Sequence, residues 1–285
     1  MEECEGKLAL VTGASRGIGK AIAVRLAAEG AVVVVSASQR GERLGLRGSL
    51  EETIAEIEAA GGQAAAVAAD LSSEAARADL VPRVEEGFGP LDILVNNAAM
   101  GVWAVPSACG LDDRRKMIEV NFHAPVDLIQ AALPGMRERG RGWILNIGSN
   151  AVEQPVPPYR STPEMAHVIA PYGASKAPLV RYTEGLAHEL WNGGIRVNSL
   201  APVAIVLTQE AAVLVGHIAR ANPDMVEPLE VIVEAAVELV TGPHTGRVVY
   251  SRAFLHSIGR SVRSLDGRAV VGDAFMPADL DAVVA

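Results

Sequence analysis

Aromatic side chains are scarce in this 285-residue chain: phenylalanine, tryptophan and tyrosine together make up 4% of it. Its core must therefore be built from alanine, valine, leucine and isoleucine. Cysteine is nearly absent. Cys4 and Cys109 are the two present, and they fit neither a zinc spacing nor a disulfide framework. Two reduced thiols in a reducing compartment are expected, and no metal site. Positive charge is in deficit, with 25 Lys and Arg against 34 Asp and Glu, a net charge of −9. A chain this acidic, without a basic stripe, excludes nucleic acid as the main partner and an anionic membrane surface as a docking site. No apolar run is long and uninterrupted enough to span a bilayer. The acidic segment Met1 to Lys7 carries no signal-peptide pattern before the first strand. The expected location is cytoplasmic, with no membrane partner.

What is present is ample apolar material, 49% hydrophobic against 21% charged residues, in a length suited to one large α/β domain. Leu8-Ala9-Leu10-Val11 reads as a buried strand that stops at glycines. Gly19 to Glu29 reads as a helix closed by Gly30, and Ala31 to Val35 as a second strand. That is a βαβ unit. The rhythm continues with a helix over Ser49 to Ala60, where Ser49 and Glu52 form a capping box. A weak strand follows at Ala64 to Ala69, a helix at Ser73 to Glu86 and a strand at Leu91 to Val95. A long helix is expected over Asp113 to Arg139, bent at Pro125, then a strand over Trp143 to Ile147. Tyr172 to Trp191 reads as helix, Ile195 to Leu200 as strand, Pro228 to Val240 as helix and Arg247 to Tyr250 as a last strand. Strands alternating with helices predict a Rossmann-type, doubly wound parallel sheet in a single domain. The expected bounds are 1–250 for the domain, with long loops at 150–170 and 201–227. The tail 251–285 is given no structure.

Two features carry chemistry. Gly13, Gly17 and Gly19 lie between a strand and a helix, in a G-x-x-x-G-x-G spacing. Missing side chains let a backbone approach a pyrophosphate, and the following helix offers free N–H groups and the positive end of its dipole. Far downstream, Tyr172 and Lys176 stand four apart and share one helix face. A neighbouring ammonium favours a phenolate, which lets a tyrosine act as acid or base near neutral pH. Each feature alone also fits a plain structural role, a tight turn or a chance pair.

Together with three further motifs they resemble the short-chain dehydrogenase/reductase family, classical type, from about Lys7 to Tyr250. The turn Thr12 to Gly19 matches the family's T-G-x-x-x-G-I-G cofactor motif. Asn96-Asn97-Ala98-Ala99 resembles N-N-A-G, and Val120-Asn121 resembles the helix segment with the catalytic asparagine. Asn146-Ile147-Gly148-Ser149 resembles the strand end with the catalytic serine, and Tyr172 to Lys176 fits Y-x-x-x-K. The resemblance implies that Tyr172 is the general acid for reduction and the base for oxidation. It implies that Lys176 lowers the tyrosine pKa and holds the nicotinamide ribose, that Ser149 binds the substrate oxygen, and that Asn121 holds a proton-relaying water. It assigns to the cofactor Gly13, Ser15, Arg16, Gly17, Ile18 and Gly19 of the turn, Asn97 and Ala98, Lys176, and Asp70 and Leu71 at the adenine. Pro202 and Thr208 are further cofactor candidates.

The chain departs from the pattern in places. Ser149 and Tyr172 stand 23 residues apart, longer than is usual in the family, with a proline-rich insertion between them. Tyr159 within it has no lysine four residues on. Pro202-Val203 replaces the family's P-G. The second strand closes on Val35-Ser36-Ala37-Ser38-Gln39-Arg40 without the carboxylate expected for NAD. Nothing there repels a 2′-phosphate, and Arg16, Ser38 or Arg40 can bind one. NADP(H) is the expected cofactor, with NAD(H) the alternative. The implied activity is the interconversion of a small or medium carbonyl and a secondary alcohol, in a homodimer or homotetramer packed through the long helices. A dinucleotide-binding sensor without turnover and an enoyl reductase or dehydratase are the alternatives.

Overall fold

Every residue of the first strand, Leu8–Thr12, is buried. This is the pattern of a parallel strand covered on both faces, not the alternation of a half-exposed one. The computed structural model describes residues 3–38, 48–102, 104–153 and 170–273. Within them the strands are β1 (Leu8–Thr12), β2 (Val32–Ser36), β3 (Gln63–Ala66), β4 (Ile93–Asn96), β5 (Gly142–Ile147), β6 (Ile195–Ala201), β7 (Ile205–Val206), β8 (Val226–Glu227) and β9 (Val248–Tyr250). Seven of them form one sheet in the order β3-β2-β1-β4-β5-β6-β9, and β7 pairs with β8 apart from it. All pairings are parallel.

The helices are α1 (Gly17–Ala28), α2 (Leu50–Ala59), α3 (Glu74–Phe88), α4 (Leu111–Ile118), α5 (Ala124–Arg139), α6 (Ala170–Glu189), α7 (Gln209–Ala221), α8 (Leu229–Thr241) and α9 (Ser251–Ile258). On one face of the sheet Ile22 and Leu26 of α1 meet Val231 and Ala235 of α8 and Phe254 of α9. On the other, Leu80 of α3, Leu128 and Ile129 of α5 and Leu186 of α6 close a second core. This is a Rossmann-type doubly wound fold in a single domain, as the alternation of apolar runs and helical periods predicts. The chain runs outward from β1 to β3, then returns to place β4 on the other side of β1. The crevice between the carboxyl ends of β1 and β4 is the topological switch point, where such sheets bind ligands.

Several local expectations change. The long helix is divided: α4 and α5 are joined by a π-turn, Glu119–His123, in which Ala124 N–H reaches back to Glu119 C=O. Pro125 is the cause, since it brings no N–H to the Asn121 carbonyl four residues earlier. The third strand ends at Ala66, although Val67 and Ala69 still donate to Val35 and Ala37 at 3.1 Å. The region 201–227, expected as loop, contains β7, α7 and β8. After Tyr250 the chain enters α9 at once, and Phe254, Leu255 and Val262 join the α1–α8 core. Arg25, fully buried on α1, pairs with Glu29 at 2.9 Å and with Glu234 of α8 at 2.9 Å. Arg260, beyond α9, also binds Glu234, at 2.7 Å, so the C-terminal segment is tied to the same ions.

Candidate active site

The turn after β1 is built for backbone, not side chains. Gly13 and Gly17 take left-handed φ values of 64° and 58°, a region that favours glycine. A methyl group on Gly19 would lie 2.4 Å from both Asn97 Nδ2 and the Gly13 carbonyl. Asn97 donates that Nδ2 to the carbonyls of Thr12 (2.9 Å) and Gly13 (3.2 Å). Thr12 Oγ1 in turn accepts from the N–H groups of Asn97 (3.0 Å) and Ala98 (3.1 Å). The segment after β4 thus clamps the turn after β1 across the switch point. Arg16 is the N-cap of α1, and its side chain does not cap the helix; a guanidinium has no acceptor to offer the N–H groups of the first turn.

The carboxyl ends of β4 and β5 and the helix α6 meet beside this turn. Asn96 Nδ2 donates to Asn146 Oδ1 at 2.9 Å, and Asn146 Nδ2 to Thr183 Oγ1 at 2.9 Å, all three residues buried. This chain fixes the depth of α6 against the strand ends. Gly173 lets the helix approach further still: a methyl group there would fall 2.0 Å from the Ala151 carbonyl. Ala151 N–H donates to Ser149 Oγ at 3.1 Å, so the serine turn and the start of α6 sit together. Asn121, in the π-turn, donates Nδ2 to Ser175 Oγ (2.7 Å), which donates to the Tyr172 carbonyl (2.7 Å). Lys176 is fully buried, and its ammonium donates to the Ile147 carbonyl at 2.9 Å, two residues before Ser149. Burial pulls its pKa from the ordinary 10.5 down to about 8. Tyr172 is half-buried, and a methyl group on Gly101 would touch its ring at 3.5 Å.

Of the residues singled out from the sequence, Asn121, Ser149, Tyr172 and Lys176 fall in one neighbourhood, as do Gly13, Ser15, Arg16, Gly17, Ile18, Gly19, Asn97 and Ala98. Thr208 joins the second group: its methyl lies 3.3 Å from where a methyl on Gly17 would stand. Its hydroxyl caps α7 by accepting from Ala211 N–H at 3.2 Å. Pro202 is half-buried, and the next residue, Val203, is hydrogen-bonded to Asn150. Ser38 is half-buried just beyond β2; Arg40 lies outside the described residues. Asp70 is exposed and holds Ser72 in an Asx turn (2.7 and 3.0 Å), whereas the Leu71 side chain belongs to the core. Any contact of Leu71 with a ligand is left to its backbone. Both Nδ2 hydrogens of Asn121 are engaged, by Ser175 and the Met100 carbonyl, and its Oδ1 accepts the Met100 N–H at 2.8 Å. Met100, Gly101, Gly173 and Ser175 also pack into this neighbourhood and were given no role from the sequence. The small residues between Tyr172 and Lys176 were the available signal.

A family model described as short chain dehydrogenase matches residues 7–215. The chain belongs to that family. Among curated relatives of this short-chain dehydrogenase is a ketoacyl reductase, HetN, of Nostoc sp., 35% identical over 203 residues. Those residues are 71% of this chain and 64% of the relative, so the match spans less than two thirds of that protein. Glucose 1-dehydrogenase 2 of Bacillus subtilis is 37% identical over 206 residues, 72% of this chain and 74% of the relative. Among solved structures, a metagenomic short-chain oxidoreductase in complex with NADP is 32% identical with a TM-score of 0.69. The likeness covers 87% of this chain and 97% of that one.

An oxidoreductase of this family uses a nicotinamide dinucleotide, and the residues present suit one. The glycine cradle would be filled by any side chain at Gly19. Ser36 Oγ, buried at the end of β2, has no hydrogen-bond partner among the described residues, and Ser36 C=O accepts from Ala14 N–H within the turn at 3.1 Å. Among the described residues no helix is long and apolar enough to cross a membrane, and no cluster of three metal-ligating side chains occurs.

Proposed function

We propose that this short-chain dehydrogenase interconverts a carbonyl and a secondary alcohol, with Tyr172 as general acid and base and NADP(H) as the preferred cofactor. The observation that carries the reading is the hydrogen-bonded run Asn121–Ser175–Tyr172, set beside a buried Lys176. The bound dinucleotide supplies or accepts the hydride. Tyr172 gives its phenolic proton to the carbonyl oxygen during reduction and takes it back during oxidation. Ser149 Oγ already accepts from Ala151 N–H, so its own proton is free to point at the substrate oxygen as charge develops there. Lys176 opposes the negative charge on the phenol oxygen and reaches the ribose. The Asn121 carbonyl holds the water through which a proton returns.

The cofactor preference rests on what β2 lacks. No carboxylate follows Val35 through Ser38, and Arg16, the N-cap of α1, lies in the turn whose Ala14 N–H reaches the Ser36 carbonyl. Glycines 13, 17 and 19, Ser15, Ile18, Asn97, Ala98, Pro202 and Thr208 form the remaining contacts, with Asp70 and Leu71 at the adenine. The reading places a small or medium apolar carbonyl in the cleft, and the protein in the cytoplasm as a homodimer or homotetramer. Free Cys4 and Cys109 suit a reducing compartment.

The test is NADPH oxidation with a panel of ketones and aldehydes, beside Tyr172→Phe. Loss of ~10²–10⁴ in kcat with dinucleotide binding retained supports the reading. Tight binding without turnover on any carbonyl would favour a sensor, and unchanged turnover in the variant would remove Tyr172 from the reaction. Titration calorimetry decides the cofactor: NADPH is expected to bind about tenfold or more tighter than NADH, a gap of ~1.4 kcal/mol or more.

A further inference from the structure

Glu227 is a fully buried carboxylate outside the catalytic run. Its Oε2 accepts the Val203 N–H at 3.0 Å, and its Oε1 accepts from Ser251 Oγ at the first residue of α9. Burial holds its carboxyl above the usual range, against the opposing pull of Ser251, the Val203 N–H and the nearby Arg252, with Asp273 also facing it. The carbonyl of the same Val203 accepts from Asn150 Nδ2 at 3.1 Å, and Asn150 directly follows Ser149. Val203 is therefore gripped on its N–H by Glu227 and on its C=O by the serine turn.

The chain beyond Val203 is equally placed. β7 pairs with β8, Val206 opposite Glu227 itself, and Thr208 then rests on Gly17. Residues 202–208 run from the serine turn to the glycine turn. A dinucleotide whose pyrophosphate sits at the glycine turn must pass along that strap to bring its ring to Ser149 and Tyr172. Val203 follows Pro202, and a charged acceptor makes a stronger bond to its N–H than a neutral one.

We propose that Glu227, with Asn150, is a positioning residue for the dinucleotide: it fixes residues 202–208 as a preformed wall of the cofactor cleft. The inference rests on the dinucleotide reading above. A strap that is only fractionally in place weakens apparent binding by that fraction, so the loss falls on cofactor affinity more than on the chemical step.

The test uses the full chain and measures NADPH and NADH binding by calorimetry, with steady-state kinetics at saturating cofactor. Glu227→Ala is expected to raise dinucleotide Kd and KM by roughly tenfold, with a smaller fall in kcat. Asn150→Ala, at an exposed side chain, is expected to shift Kd in the same direction. Glu227→Gln keeps an acceptor for Val203 N–H and is expected to restore most of the affinity. Wild-type Kd in both alanine variants overturns the proposal, as does a Gln variant as weak as Ala, or a kcat loss equal to the binding loss. Should Glu227→Ala not fold, Asn150→Ala decides alone. Wild-type protein that binds neither dinucleotide overturns the underlying reading. Tight wild-type binding with unaffected variants overturns the strap alone.

Discussion

Asn121 clasps Met100 by both ends of its backbone: Oδ1 accepts the Met100 N–H and Nδ2 donates to the Met100 carbonyl, each at 2.8 Å. One side chain thereby fastens the segment after β4 to the π-turn and, through Ser175, to Tyr172. Truncation leaves two backbone groups and the Ser175 hydroxyl without their partner. Asn121→Ala is expected to destabilise by about 2–4 kcal/mol in denaturant unfolding.

Gly173 and Gly87 are both helical glycines, and their neighbourhoods are opposite. A methyl group on Gly173 would lie 2.0 Å from the Ala151 carbonyl, and one on Gly87 meets nothing within 4 Å. Gly173→Ala should push α6 off the serine turn, costing about 1–3 kcal/mol or more and lowering kcat while dinucleotide affinity holds. Gly87→Ala should raise stability by about 0.5–1 kcal/mol. Equal effects at the two positions would contradict the close approach of α6.

Lys176 links stability to pH. Its folded pKa of about 8 lies below the ordinary 10.5. Between these values the unfolded chain binds the extra proton, so stability rises with pH through that window. The burial penalty is present in full below pH 8. Lys176→Met removes the titration and should be inactive. Relative to this variant, the cofactor-free wild type should gain about 3 kcal/mol between pH 8 and 10.5. Chemical unfolding of both proteins at several pH values measures it, and parallel curves would refute a buried ammonium.

Arg25 lies at the centre of the ions that hold α1 to α8 and to the C-terminal segment. Arg25→Met fills much of the volume and strands Glu29, whose side chain is 2% exposed. The expected loss is about 3–5 kcal/mol. Replacing Arg25 and Glu29 together, by Met and Leu, should recover much of it. A double variant no better than the single one would show that the charge left behind is not the cause.

The motifs were legible because each is local. A glycine turn, a Tyr and Lys one helical turn apart and a serine at a strand end are fixed by spacing, and period alone separates strand from helix. The division of the long helix was half legible: Pro125 marked a bend, but that the Asn121 side chain within the π-turn is held by Met100, a residue brought near by β4, was not. The two strands within 201–227 were not legible, because β7 and β8 are two residues each and exist through pairing with each other.

The sequence by itself determined the parallel doubly wound architecture, the family and the order of the chemical motifs, since apolar period, glycine position and residue identity are properties of neighbours along the chain. Only the tertiary structure decided that the Asn121 carboxamide is already engaged, that Lys176 is stripped of water, and that Glu227 and Asn150 grip Val203 from two sides. Each of these depends on groups tens of residues apart competing for the same hydrogen bonds. That competition is settled by packing, where a polar atom cut off from water must take whatever partner the fold brings to it.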